Sequence, residues 1–253
     1  MHLSSVRAIV TGAAGGIGAE LVKNLIDNGG FVAAIDINPT GLDALRARTP
    51  HPDRLFCFLA DVANEASVHG AVEQAFHSTG RCNVLINNAG ILRDGLLATR
   101  QEDFVRTLPM IQWQQVINVN LTGCYLMTRE FVSAVLSRLD DEPSVIVNIS
   151  SISSAGNAGQ SNYAASKAGL DACTRTWALE LAPMGIRVAG VSPGVIDTPM
   201  LQRVDETTRT ELLSKIPLKR FGKAVDVWVA VRFAIECDFF NARTLEVDGG
   251  ALF

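Results

Sequence analysis

The chain has 253 residues, 48% hydrophobic and 19% charged, with 21 Gly and 9 Pro spread along its length, which predicts one folded globular domain and excludes disordered or collagen-like classes. A formal net charge of −4 offers no basic field for nucleic acid or an anionic membrane, and no apolar run approaches the roughly 20 residues of a membrane span. The five cysteines, Cys57, Cys82, Cys124, Cys173 and Cys237, are odd in number and lack any C-x-x-C, so neither a disulfide framework nor a thiolate metal site is expected and a reducing, cytoplasmic setting fits.

The first residues, Met1-His2-Leu3-Ser4-Ser5-Val6-Arg7, lack the charged and apolar regions of a signal peptide and run into a predicted strand at 8–11. A helix at about 16–28 follows, then a strand at Phe31–Asp36, the strand, helix, strand opening of a parallel sheet. Further strands are expected at Leu55–Leu59, Val84–Asn87, 145–149, 186–191 and Thr244–Val247. Helices are expected between them at about 42–48, 64–79, 111–139, 163–184 and 225–237, each long enough for a crossover connection. The sum is a doubly wound, Rossmann-type α/β sheet of about seven strands in a single domain spanning 1–253. Two stretches, 91–108 and 194–215, fit no simple element, and the second is expected to close over a substrate as a water-excluding loop.

Ligands of such sheets bind beyond the carboxyl ends of the strands, so the residues that follow each strand carry the chemistry. After the first strand comes Thr11-Gly12-Ala13-Ala14-Gly15-Gly16-Ile17-Gly18. Its small residues let the backbone turn tightly and approach a pyrophosphate at a helix N-terminus, where free N–H groups and the helix dipole favour an anion. Alone, the motif also fits a glycine-rich turn without a ligand. Its place between strand and helix, and Asp36 at the end of the next strand, point to a dinucleotide, with Asp36 bonding the adenosine ribose. Asp36 would repel a 2′-phosphate, and neither Ile37 nor Asn38 nor Gly15 supplies a cation to neutralise one, which favours NAD over NADP.

Tyr163-Ala164-Ala165-Ser166-Lys167 sets a phenol and an ammonium one helical turn apart. Any surface helix can carry that pair, but its company is specific: the glycine loop, Asp36, Asp61-Val62, Asn87-Asn88-Ala89-Gly90, Asn120, Ser150 and Pro193-Gly194 occur in that order. As an ordered set they resemble the compact branch of the short-chain dehydrogenases/reductases, from Arg7 to Val247-Asp248-Gly249-Gly250.

The resemblance implies hydride transfer between a nicotinamide cofactor and a secondary alcohol or ketone. Tyr163 would be the acid/base, Lys167 its electrostatic partner and a ligand of the nicotinamide ribose, and Ser150 the hydrogen-bond donor to the substrate oxygen. Asn120 would hold a water in a proton relay from Lys167. Ser151 competes with Ser150, and Asn118 with Asn120. Asp61 and Val62 would flank the adenine, Asn88, Ala89 and Gly90 would shape the cofactor groove, and Val195, Ile196 and Thr198 would line the nicotinamide side after Pro193 and Gly194. Asn87 and Asn88 serve equally well as ties between strands, and Pro193-Gly194 as a strand terminator. The chemistry itself asks for a cation beside the tyrosine, because a phenol, ordinarily titrating near 10, accepts a proton at neutral pH only with such help.

Three residues separate Tyr163 from Lys167, not the six of enoyl reductases, and a sugar epimerase would carry a longer C-terminal region. The stretches Gly156 to Tyr163 and Ile91 to Leu97 are similar to 3-oxoacyl reductases, which implies 3-hydroxyacyl and 3-oxoacyl thioesters as substrates, with a steroid, polyol or other small alcohol as alternatives and a non-catalytic NAD-binding regulator as a further one. The stretch 90–120 is longer than in those reductases. The resemblance also implies a homotetramer. His2, His51, His69 and His77 have no metal-ligand or triad spacing, so no metal is expected.

Overall fold

Most of the short apolar runs become strands, joined by two further strands in the 91–108 stretch, in a computed structural model that describes residues 1–102, 104–138, 142–199, 201–203 and 205–251. In chain order they are β1 (Arg7–Thr11), β2 (Phe31–Asp36), β3 (Leu55–Leu59), β4 (Val84–Asn87), β5 (Ala98–Gln101), β6 (Phe104–Thr107), β7 (Ser144–Ile149), β8 (Ile186–Pro193) and β9 (Thr244–Val247). Seven of them form one sheet of order β3-β2-β1-β4-β7-β8-β9, and every pairing in it is parallel. The order reverses between β1 and β4, which opens a crevice beyond their carboxyl ends.

Both faces of the sheet are covered, as the unbroken apolar strands require. In β1, Ala8 and Val10 face a core layer that includes Leu21, Val22, Leu25 and Ile26 of α1 (Gly16–Asp27), while Ile9 faces the opposite layer. That second layer contains Val68, Val72 and Phe76 of α3 (Glu65–Thr79), which follows α2 (Pro39–Arg48). The period of two along each strand thus sorts side chains between the layers. The remaining helices are α4 (Met110–Ile117), α5 (Gly123–Leu136), α6 (Ser161–Leu181), α7 (Glu206–Ser214) and α8 (Ala224–Glu236). Asparagines start two of them: Asn38 accepts from the Gly41 amide at α2 and Asn64 from the Ser67 amide at α3, each meeting a donor the helix cannot.

The seven-stranded Rossmann-type sheet matches expectation, and the departures lie in the connections. The helix expected at 111–139 is interrupted: α4 and α5 are joined by one wide π turn, Asn118–Thr122, in which the Gly123 amide donates to the Asn118 carbonyl. Leu139 lies outside the described residues. The stretch 91–108 holds an antiparallel hairpin, β5 with β6, and 194–215 holds a short 3-10 turn, Leu201–Arg203, and α7, capped by Asp205 on the Thr208 amide. Met200, in the same stretch, lies outside the described residues. All five cysteines are free, and among the described residues no helix is long and apolar enough to cross a membrane.

Candidate active site

The glycine loop is built by close approach. Gly12 has φ +61°, and a Cβ there would lie 2.8 Å from the Ala89 Cα; a Cβ on Gly18 would lie 2.1 Å from the Gly12 carbonyl oxygen. Only glycine lets α1 begin this near its own loop. Gly15, the residue before α1, gives its first turn no side-chain cap, and a Cβ on Gly15 would meet none of the described residues within 4 Å. The helix therefore offers uncapped N–H groups and its positive dipole end to open space, and these residues fit a pyrophosphate. Ile17 turns inward onto the core, while Thr198 from beyond β8 comes within 3.2 Å of where a Gly16 Cβ would stand.

Asn88 ties the two strand exits together. Its Nδ2 donates to the carbonyls of Thr11 (3.0 Å) and Gly12 (3.1 Å), and the Thr11 hydroxyl accepts the Asn88 and Ala89 amides at 3.0 Å. Asn87 donates instead to Thr128 Oγ1 on α5 and to Asn148 Oδ1 on the neighbouring strand β7, and its Oδ1 has no partner among the described residues. Both asparagines thus serve as ties between elements.

At the end of β2, Asp36 Oδ2 accepts the Ala14 amide and Oδ1 the Asn38 amide, each at 2.9 Å. Beside it the Ile37 side chain is exposed. After β3, Asp61 accepts the Ala63 amide at 2.9 Å and Val62 is buried, against the start of α5 where a Cβ on Gly123 would lie 2.9 Å from Val62 Cγ2. On the far side, the Gly194 amide donates to the Val247 carbonyl after buried Pro193. Gly222 accepts from Asp197 and donates to Val195, fixing Val195 and buried Ile196.

The catalytic candidates gather around Lys167, which α6 carries beneath the end of β7. Lys167 is only 3% exposed; its Nζ donates to the Ile149 carbonyl at 2.7 Å and lies 5.6 Å from the centroid of the half-buried Tyr163 ring. Asn120, fully buried in the π turn, accepts the Ile91 amide at 2.8 Å and donates to the Ile91 carbonyl and to Ser166 Oγ. Between them sits Gly90, whose Cβ would stand 3.5 Å from Asn120 Oδ1 and 3.8 Å from Lys167 Nζ. π turns of this kind often mark functional sites, since one extra residue redirects side chains.

Ser150 follows β7, is buried, and donates its amide to the Val191 carbonyl at 2.7 Å; its hydroxyl has only a long 3.5 Å contact to the Lys167 carbonyl, leaving it available to another oxygen. The competitors are engaged locally. Ser151 Oγ accepts the Ser153 amide in its own 3-10 turn, and Asn118 Oδ1 accepts from Gln114 at 2.6 Å. Ser166 escaped the sequence reading; three residues past Tyr163, on the same helix face, its hydroxyl donates to the Tyr163 carbonyl at 2.7 Å. One turn beyond Asn120, burial pushes the Cys124 thiol up to about 11, with the Lys167 charge opposing the shift. Among the described residues no group of three or more His, Cys, Asp or Glu is placed to hold a metal ion.

Residues 7–209 match the family described as short chain dehydrogenase. The chain is 38% identical over 254 residues to the 3-oxoacyl-[acyl-carrier-protein] reductase FabG of Thermotoga maritima, covering 99% of each chain. It is 34% identical over 256 residues to the (2S)-[(R)-hydroxy(phenyl)methyl]succinyl-CoA dehydrogenase subunit BbsD of Thauera aromatica, covering 99% of this chain and 98% of that one. Nodulation protein G of a Rhizobium species is similar at 33% over 252 residues, with 98% of both chains covered.

Proposed function

The chain belongs to the short-chain dehydrogenase/reductase family of nicotinamide-dependent oxidoreductases, and from that premise we propose that it interconverts 3-hydroxyacyl and 3-oxoacyl thioesters with NAD. The observation that carries the chemistry is the buried Lys167 ammonium, held by the Ile149 carbonyl beside the Tyr163 ring. A bound nicotinamide supplies the acceptor or donor of the hydride. In oxidation Tyr163 takes the substrate hydroxyl proton while Lys167 offers compensating charge in a place shielded from water; in reduction Tyr163 returns the proton to the ketone oxygen. Ser150 donates a hydrogen bond to that oxygen as charge develops on it. Asn120 fixes the Gly90-Ile91 turn against the ammonium, and the water relay from Lys167 belongs to the same proposal.

NAD is favoured because Asp36 is held with both oxygens at the rim of the glycine loop, where its negative charge would oppose a 2′-phosphate, and because Gly15, Ile37 and Asn38 carry no cation. Asp61, Val62 and Ala89 would border the adenine side of the cofactor, and Val195, Ile196 and Thr198 its nicotinamide side. The thioester class is supported by the relatives, one named for a 3-oxoacyl carrier protein and one for a succinyl-CoA derivative. A cytoplasmic homotetramer, with the 194–215 segment closing over the substrate, completes the reading.

The test is NADH oxidation with acetoacetyl-CoA and with a 3-oxoacyl carrier protein, set against NAD reduction with steroid, polyol and simple alcohol panels. Tyr163→Phe should lower turnover by at least about 100-fold with NADH binding retained. Tight NADH binding without turnover on any substrate would instead mark a regulator and overturn the proposal.

A further inference from the structure

The residue before the tyrosine is buried, polar and fully engaged, and the geometry points to Asn162 as a positioning residue for Tyr163. Asn162 is 0% exposed, an expensive place for an amide unless each of its groups is bonded. Its Oδ1 accepts the Tyr163 amide at 2.8 Å, one of the first-turn donors of α6 that the helix itself leaves unmet. Its Nδ2 donates to the carbonyls of Arg93 (3.0 Å) and Gln112 (3.3 Å). Arg93 precedes the β5–β6 hairpin and Gln112 lies in the first turn of α4, so one side chain joins both roots of the hairpin segment to the backbone of the tyrosine.

Two outer links run beside it. The Gly95 amide donates to the Gly159 carbonyl at 2.8 Å, and Gln160 Nε2 donates to Asp94 Oδ2 at 2.9 Å. Both tether the same hairpin root to the residues leading into α6, but neither touches Tyr163. Among the described residues, Asn162 is the side chain that bonds that root directly to the Tyr163 amide, in the turn from which the phenol projects. Without its Nδ2, the Arg93 and Gln112 carbonyls lose a buried donor, and the first turn of α6 loses the support that sets the ring beside Lys167. Displacements of about 1 Å suffice to lower a proton-coupled rate by up to about 100-fold.

The role rests on Tyr163 acting as the proton carrier. It is tested in the full chain with Asn162→Ala and Asn162→Asp, assayed with acetoacetyl-CoA and NADH, with rates normalised to the NADH-binding sites present so that partial unfolding leaves the comparison intact. Asn162→Asp is nearly isosteric and keeps the acceptor for the Tyr163 amide while removing both donated bonds. The expected result in both variants is a kcat about 10- to 100-fold lower, KM and NADH affinity within about twofold, and a larger primary isotope effect on kcat from NADH deuterated at the transferred position. An unchanged kcat per site and an unchanged isotope effect, with only a lower Tm, would make Asn162 purely structural and overturn the inference. Equal turnover by the parent protein and Tyr163→Phe would instead remove the acid/base assignment beneath it.

Discussion

One carboxylate oxygen of Asp36 accepts a 2.9 Å hydrogen bond from the Ala14 amide, and the bond joins the end of β2 to the glycine loop after β1. The carboxylate that would meet the ribose is therefore fixed by the loop that would cradle the pyrophosphate. Asp36→Ala should lower kcat/KM with NAD by about 10- to 100-fold, the range of one lost charge-assisted bond. Adding Ile37→Arg should reverse the preference toward NADP. Steady-state kinetics with both cofactors checks this, and better use of NADP by the unmodified chain would overturn the assignment of Asp36.

Two adjacent serines provide a second comparison. Ser150 has a hydroxyl with no short partner among the described residues, whereas Ser151 Oγ accepts the Ser153 amide at 3.1 Å. Ser150→Ala is expected to reduce kcat by about 100- to 1,000-fold, as loss of one donor to a developing oxyanion does. Ser151→Ala should cost about 1 kcal/mol of stability through the lost cap and leave kcat within a few-fold. The reverse ranking in turnover assays would exchange their roles.

Within the glycine loop, space differs by residue. A Cβ on Gly18 would lie 2.1 Å from the Gly12 carbonyl oxygen and 2.8 Å from Asn88 Nδ2, while one on Gly15 meets none of the described residues within 4 Å. Gly18→Ala should destabilise by about 3 kcal/mol or more, a Tm drop of roughly 6–12 °C. Gly15→Ala should leave Tm within about 2 °C yet weaken NADH binding, because the methyl projects into the space beside the uncapped helix turn. Thermal melts and NADH titration separate the two effects.

A surface pair sets a pH dependence. His69 Nδ1 on α3 lies 2.9 Å from Glu130 Oε2 on α5. The hydrogen bond to Glu130, helped by the nearby Glu73 charge, raises the imidazole above its ordinary 6.5, and the same bond holds Glu130 below its ordinary 4.5. The histidine contribution is fully present below 6.5 and is lost as pH rises through the raised value. The glutamate contribution is present above 4.5 and is lost as pH falls through the lowered value. The Tm difference between the parent chain and His69→Gln should therefore be largest between those limits and shrink as pH rises through the raised histidine value. Because the histidine is exposed, the difference should be small and fall with salt. A difference that grows with pH would contradict the pairing.

Burial separates the thiols. Cys82 and Cys124 are pushed up to about 11 by desolvation, and burial also raises Cys57 and Cys173. A disulfide reagent near neutral pH should find Cys82 and Cys124 unreactive in the folded chain and all five cysteines reactive once it is unfolded. Rapid labelling of Cys124 in the native state would contradict its place beneath Asn120.

The sequence by itself determined the sheet, its strand limits to within two residues, and the order of the site motifs. These depend on near neighbours: a run such as 84–86 is apolar on both faces because helices cover both, and a glycine loop can be read from residues that touch along the chain. The tertiary structure alone decided what each polar side chain completes. Asn120 reaches Ile91 across 29 residues, and the π turn that aims it has no local signature distinguishing it from the helix on either side. Asn88 holds the loop rather than standing free over a groove, and Ser151 is withdrawn into its own turn while Ser150 is left open. The 91–108 hairpin was illegible because β6 is exposed throughout, so no burial imposes an alternating pattern on it. Local periodicity is written by which face meets the core, whereas the partner of a buried amide is whichever backbone the fold happens to bring within 3 Å or so of it.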